Sequence, residues 1–137
     1  MLKKIRHIGI IVEDLDRAIK RFEGFGLPCT QVMEREKDGM RIAFFPVGDN
    51  LIEFLSFSFD KGWDPMHKVV RSQKGPINHL CFEVEDLDAS IRDFEKNGAK
   101  LAEGCPRPGA HGRIAFFQPE TTEGVLIELC EVWEEGT

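Results

Sequence analysis

The stretch HIGIIVEDLD, residues 7–16, returns 72 positions later as HLCFEVEDLD, residues 79–88. Each copy opens on a histidine, runs through mostly apolar residues and closes on Glu-Asp-Leu-Asp. The same shift lays Ile19 on Ile91, Phe22 on Phe94 and Gly26 on Gly98, and then the run RIAFF at Arg41–Phe45 on its duplicate at Arg113–Phe117. After three further residues Leu51-Ile52-Glu53 meets Leu126-Ile127-Glu128. Self-similarity sustained over that length marks a chain built from two copies of one supersecondary unit.

Local signals within a copy agree with one another. His7 to Val12 is rich in β-branched residues, and Asp14 or Asp16 can cap a helix whose apolar positions Leu15, Ala18, Ile19 and Phe22 follow helical spacing. Gly24, Gly26 and Pro28 stop it, as Asn97-Gly98 stops its duplicate. Three strands are then expected in each copy: about Cys29–Glu34, Met40–Val47 and Leu51–Phe57 in the first, and about Lys100–Gly104, Arg113–Gln118 and Val125–Val132 in the second. Each module therefore reads β-α-β-β-β. Ser58–Pro76, rich in Gly, Pro and charge, is the connection, with a short helix expected near Met66–Arg71. Neither module can bury its apolar face alone, so the two must cover each other. The expectation is an α+β fold in which two βαβββ modules, about 5–57 and 77–132, pair into a curved mixed sheet enclosing a metal-binding cleft.

Bulk composition narrows the partners. The 137 residues are 42% hydrophobic and 31% charged, enough for one domain, 1–137, with a real core. A net charge of −6 without a basic run argues against nucleic acid and anionic membranes. With no long apolar run and no signal-peptide pattern at Met1-Leu2-Lys3-Lys4, a soluble cytoplasmic protein is expected. Cys29, Cys81, Cys105 and Cys130, without C-x-x-C spacing, read as reduced thiols.

The chemistry lies in residues that repeat. His7 and His79 open the first strand of each copy, and Glu53 and Glu128 stand at equivalent places in the last, so pseudo-symmetry brings the four to the cleft. Two imidazoles and two carboxylates suit one divalent ion such as Zn, Co, Ni, Mn or Fe, with positions left for solvent or substrate. A carboxylate inside L-I-E-F-L or V-L-I-E-L is costly unless a cation compensates it. Gly9, Cys81 and Cys130, each two residues past a candidate ligand, are small and leave room beside the ion. His67 and His111 have no counterpart in the repeat and are expected at the surface, the EDLD segments as solvated caps, and RIAFF as core strand.

With H…E…H…E on paired βαβββ modules, the chain resembles the vicinal oxygen chelate superfamily. That superfamily holds glyoxalase I, extradiol dioxygenases, fosfomycin- and bleomycin-resistance proteins and methylmalonyl-CoA epimerases. The loop Pro106-Arg107-Pro108-Gly109-Ala110-His111-Gly112 and the ending Gly124-Val125-Leu126-Ile127-Glu128-Leu129 are most similar to the epimerases, from about residue 5 to 131. The resemblance places His7, His79 and Glu128 on the His, His and Glu ligands and Glu53 on the fourth, and it implies a homodimer. Asn78 stands where that family commonly has another histidine, and Ile42 stands about where some epimerases carry a glutamate base.

The function so implied is abstraction of an α-proton from an acyl-CoA or other thioester, such as methylmalonyl-CoA, through a metal-stabilised enolate, followed by reprotonation on the other face. Glu128 and Glu53 are the candidates for acid–base work, with Glu34, Glu36 and His111 as further candidates for the second partner. Two other readings use the same cleft: a glyoxalase I-like lyase acting on a glutathione adduct, and a non-catalytic resistance-type binding protein. An extradiol dioxygenase, commonly assisted by Tyr, is disfavoured because the chain has none.

Overall fold

The computed structural model of the chain describes residues 2–58 and 65–133. Of the connection expected at 58–76, residues 59–64 lie outside the described residues. The first module runs β1 (Leu2–Ile11), α1 (Leu15–Gly24), β2 (Gln31–Arg35), β3 (Met40–Val47) and β4 (Asn50–Phe57). A short helix, α2 (Pro65–Arg71), precedes β5 (Ile77–Val84), α3 (Leu87–Lys96), β6 (Arg107–Pro108), β7 (Gly112–Phe116) and β8 (Ile127–Val132).

These strands form one eight-stranded sheet in the order β2-β3-β4-β1-β5-β8-β7-β6. Within each half the first strand lies parallel to the last, β1 to β4 and β5 to β8, and antiparallel β1–β5 pairing joins the halves. The sheet is curled and mixed, as the paired modules require.

The EDLD segments act as caps. Asp14 accepts from the backbone of Arg17 at 3.0 Å and Asp86 from that of Ala89 at 3.1 Å, each satisfying an orphan donor of its helix. Both helices then turn out through glycines with φ of +95° at Gly26 and +97° at Gly98, where a side chain would be strained.

Alternation along RIAFF divides the core between two faces. Ala43 and Phe45 join Leu15 and Phe54 beneath α1, and Ala115 and Phe117 join Leu87 and Ile91 beneath α3. Ile42 and Phe44, like Ile114 and Phe116, point to the opposite face, which α2 covers with Met66 and Val70. Burying one such aromatic contributes roughly 1.5–3 kcal/mol, so both faces hold the sheet together.

One expected strand is replaced. Lys100–Gly104 makes only an isolated bridge, Leu101 to Phe117, and the outermost strand forms later, at Arg107–Pro108. Gly104, at φ +90°, and Pro106 interrupt the pairing there, and the chain rejoins the sheet only beyond them. Among the described residues all four cysteines are free, and no helix is long and apolar enough to cross a membrane.

Candidate metal centre and cavity

Register brings the repeated residues together. Across the central strands, Glu53, Gly9 and His79 form one row, from β4, β1 and β5; His7, Cys81 and Glu128 form the next, from β1, β5 and β8. All four candidate ligands are buried, between 5% and 6% exposed. A buried imidazole–carboxylate set of this size cannot be left without internal charge compensation.

Three of the four make a tight triangle. Nε2 of His7 lies 3.0 Å from Nε2 of His79 and 3.0 Å from Oε1 of Glu128, and the third side is 3.1 Å. Among the described residues this is the only cluster of three donors compact enough to hold an ion. Glu53 approaches the other edge of His7: its Oε2 is 2.9 Å from Nδ1, but off the line of a hydrogen bond, so that buried nitrogen has no hydrogen-bond partner.

Electrostatics show what such a set demands. Burial pulls His7 downward, yet Glu53 and then Glu128 outweigh it and push its pKa up to about 10. Burial likewise pushes Glu128 up, but His7 and His79 hold its carboxyl well below the usual range. Two buried carboxylates therefore keep a positive charge between them. In the metal-free chain a proton on His7 supplies it.

A divalent cation fits the same place. Imidazole nitrogen and carboxylate oxygen are donors for borderline metals, and His7, His79 and Glu128 lie close enough together that they would hold one ion between them.

Gly9 has a purpose other than the expected one. A Cβ there would come within 2.1 Å of Cε1 of His79, so the missing side chain clears the imidazole crossing β1 rather than space for a substrate. Cys81 is fully buried, and of the three small residues Cys130 lines the cavity.

The donors open into a cavity of about 720 Å³, mouth included, with an apolar wall of Met40, Ile42, Leu55, Phe57, Ile114 and Phe116. His67 and His111, expected at the surface, both line it. His67 is 3% exposed because α2 lies against the sheet, and His111 packs on Phe44 at 4.9 Å between ring centres. Burial, followed by Arg6, lowers the pKa of His111. Glu34 and Glu36 line a separate surface hollow, and Glu34 pairs with Arg41 at 3.2 Å.

A charged group that sequence reasoning missed also borders the cavity. Asp38, in the turn after β2, pairs with Arg35 at 2.8 Å and lies 3.7 Å from Arg107 on β6 and 4.0 Å from His67. Strands β2 and β6 are the opposite edges of the sheet, so this one carboxylate bridges them across the cleft. No pattern in the repeat marks Asp38, whose counterpart at position 110 is Ala.

Residues 6–117 match the model of the Glyoxalase/Bleomycin resistance protein/Dioxygenase superfamily. The chain belongs to this superfamily. The matched span contains His7, Glu53 and His79 and ends before Glu128. Among curated relatives, the superfamily chain described here is 29% identical over 135 residues to the ethylmalonyl-CoA/methylmalonyl-CoA epimerase of Cereibacter sphaeroides, covering 96% of this chain and 100% of that one. Among solved structures, the methylmalonyl-CoA epimerase of Mycobacterium tuberculosis superposes with a TM-score of 0.81 at 28% identity, over 98% of this chain and 91% of that one. A Streptomyces coelicolor methylmalonyl-CoA epimerase variant in complex with 2-nitronate-propionyl-CoA gives 0.80 at 26% identity, over 98% and 100%.

Proposed function

We propose that the chain is a metal-dependent epimerase that removes and returns the α-proton of a small acyl thioester, methylmalonyl-CoA or a near analogue. The observation that carries this reading is the buried triangle of His7, His79 and Glu128, with Glu53 beside it, opening into a cavity with an apolar wall. Several relatives that share the whole fold are methylmalonyl-CoA epimerases, one of them in complex with 2-nitronate-propionyl-CoA. Action as a cytoplasmic homodimer belongs to the same proposal.

His7, His79, Glu128 and Glu53 would hold one divalent ion. When bound, it supplies the positive charge that lowers the cost of an enolate. Every other element comes from side chains. Epimerisation needs a proton carrier on each face of the α-carbon. Of the two carboxylates, Glu53 is the better suited to one of these tasks, because it stands outside the nitrogen triangle whereas Glu128 is a corner of it. Ile42 leaves the β3 wall without an ionisable group, and His111, kept neutral by its surroundings, is the second carrier. The apolar wall seats the acyl group and excludes water from the carbanion.

Elemental analysis of the wild type and of His79→Ala, followed by deuterium exchange at the α-carbon of methylmalonyl-CoA, tests the reading. About one divalent metal per chain, lost in the variant together with exchange, supports it. Metal without exchange, but with turnover of a glutathione hemithioacetal, transfers the site to a glyoxalase I-like lyase. Absence of metal after reconstitution, with both proteins folded, leaves a binding protein and sinks the enzyme.

A further inference from the structure

Asn78 sits where the β1–β5 ladder slips. Gly9 pairs with His79 and Ile10 with Ile77, so Asn78 is the extra residue of a bulge. In an unbroken strand consecutive side chains point to opposite faces, and Asn78 and His79 could not meet. The bulge permits both to be buried together, at 5% exposure each. Oδ1 of Asn78 lies 2.8 Å from Nδ1 of His79, and Nδ2 of Asn78 donates to the backbone oxygen of Val70, in α2, at 2.7 Å.

The hydrogen-bond polarity from Val70 to Nδ1 of His79 has one solution. A carbonyl oxygen only accepts, so Val70 takes the NH₂ end of the amide and turns the oxygen end to His79. That oxygen also only accepts, so Nδ1 of His79 must carry the hydrogen. In the neutral ring Nε2 then keeps its lone pair, at its corner of the donor triangle 3.0 Å from Nε2 of His7 and 3.1 Å from Oε1 of Glu128. We infer that Asn78 is a positioning residue that locks His79 in the Nδ1–H tautomer and so presents Nε2 as a ready metal ligand, with the main chain of α2 as the reference point. An outer partner of this kind sets both ring orientation and tautomer of a metal-binding histidine. The inference rests on the proposed metal site for its purpose, but the tautomer itself is a property of the metal-free chain.

Two-bond ¹⁵N–¹H correlation spectra of metal-free protein read the His79 tautomer, and Co²⁺ titration reads affinity. The wild type is expected as Nδ1–H. In Asn78→Ala, His79 shifts towards the Nε2–H form and Co²⁺ binding weakens about 10- to 100-fold. Asn78→Asp, which keeps an acceptor towards Nδ1, retains the wild-type tautomer. An unchanged tautomer and an unchanged Co²⁺ affinity in folded Asn78→Ala would reduce Asn78 to a packing residue and overturn the inference. If Asn78→Ala does not fold, the wild type alone decides, because an Nε2–H His79 there contradicts the scheme. A tautomer that shifts as expected in a protein that binds no Co²⁺ leaves the lock standing and removes the metal-dependent function.

Discussion

The two modules hold equivalent histidines in different ways. His79 has an amide behind it, Asn78 at 2.8 Å, whereas His7 has a carboxylate, Glu53 at 2.9 Å. The repeat counterpart of Asn78 is Arg6, which lies 3.7 Å from Glu83 and also borders the cavity. The neutral partner accepts from Nδ1 of His79; the charged one, together with Glu128, makes His7 a strong base. Duplication supplied two copies of one donor set, and divergence one residue before each histidine and two after it made the copies unequal: Arg6 against Asn78, Gly9 against Cys81. A symmetric cradle would suit any cation, while an asymmetric one can assign separate tasks to its two carboxylates.

The sharpest way to break this comparison is to neutralise each glutamate in turn. Glu128→Gln should weaken Co²⁺ or Zn²⁺ binding more than about 100-fold, and Glu53→Gln only about 10-fold, because the charge lost at Glu128 is at a corner of the triangle whereas Glu53 stands outside it. Equal losses in calorimetric titration would mean that the halves are equivalent after all.

Next in size is a pH effect centred on His7 of the first module. The His7 pKa of about 10 lies above its value of 6.5 in the unfolded chain, so between these limits the folded state holds a proton that the unfolded state lacks. That stabilisation is complete below pH 6.5 and is lost as pH rises through 10. Urea midpoints of the metal-free protein should therefore fall across this window, His7 contributing at most about 1.4 kcal/mol per pH unit and the Cys81 thiol, pushed up by burial, adding a loss of the same sign in its alkaline part. Glu53→Gln should flatten the His7 contribution; bound metal, which takes the place of the proton, should abolish it.

The small residues give a third contrast. Gly9→Ala places a methyl group against the His79 ring and should cost about 1–3 kcal/mol, with weaker metal binding. Cys81→Ala should cost about 1 kcal/mol and leave metal binding nearly intact. The smallest effect belongs to Asp38→Asn, under about 1 kcal/mol in stability and shrinking further at high salt, because its partners are partly solvated.

Much of this molecule was legible because it is written twice. The 72-residue shift singled out two histidines and two glutamates, and the register sets them on four adjacent strands. The caps at Asp14 and Asp86 and the division of RIAFF between two faces follow from patterns that any single copy displays. What escaped is what the copies do not share. His67 has no counterpart, and its burial depends on how α2 packs, which helical spacing over seven residues does not fix. The Lys100–Gly104 strand failed because Gly104 and Pro106 release the chain from pairing, an effect with no parallel at Cys29–Glu34. The unequal placement of Glu53 and Glu128 was hidden by their equivalence in sequence; only the side-chain geometry separates them.

Asp38 has a consequence for how the protein behaves among its neighbours. An open sheet of eight strands offers two unpaired edges to which another extended chain can add. Here β6 is only two residues long and contains Pro108, β2 carries Glu34 and Arg35, and Asp38 draws the two edges towards each other. The carboxylate that borders the cleft thereby also guards the sheet against strand addition, and its loss should appear first as turbidity on heating rather than as a lower unfolding midpoint.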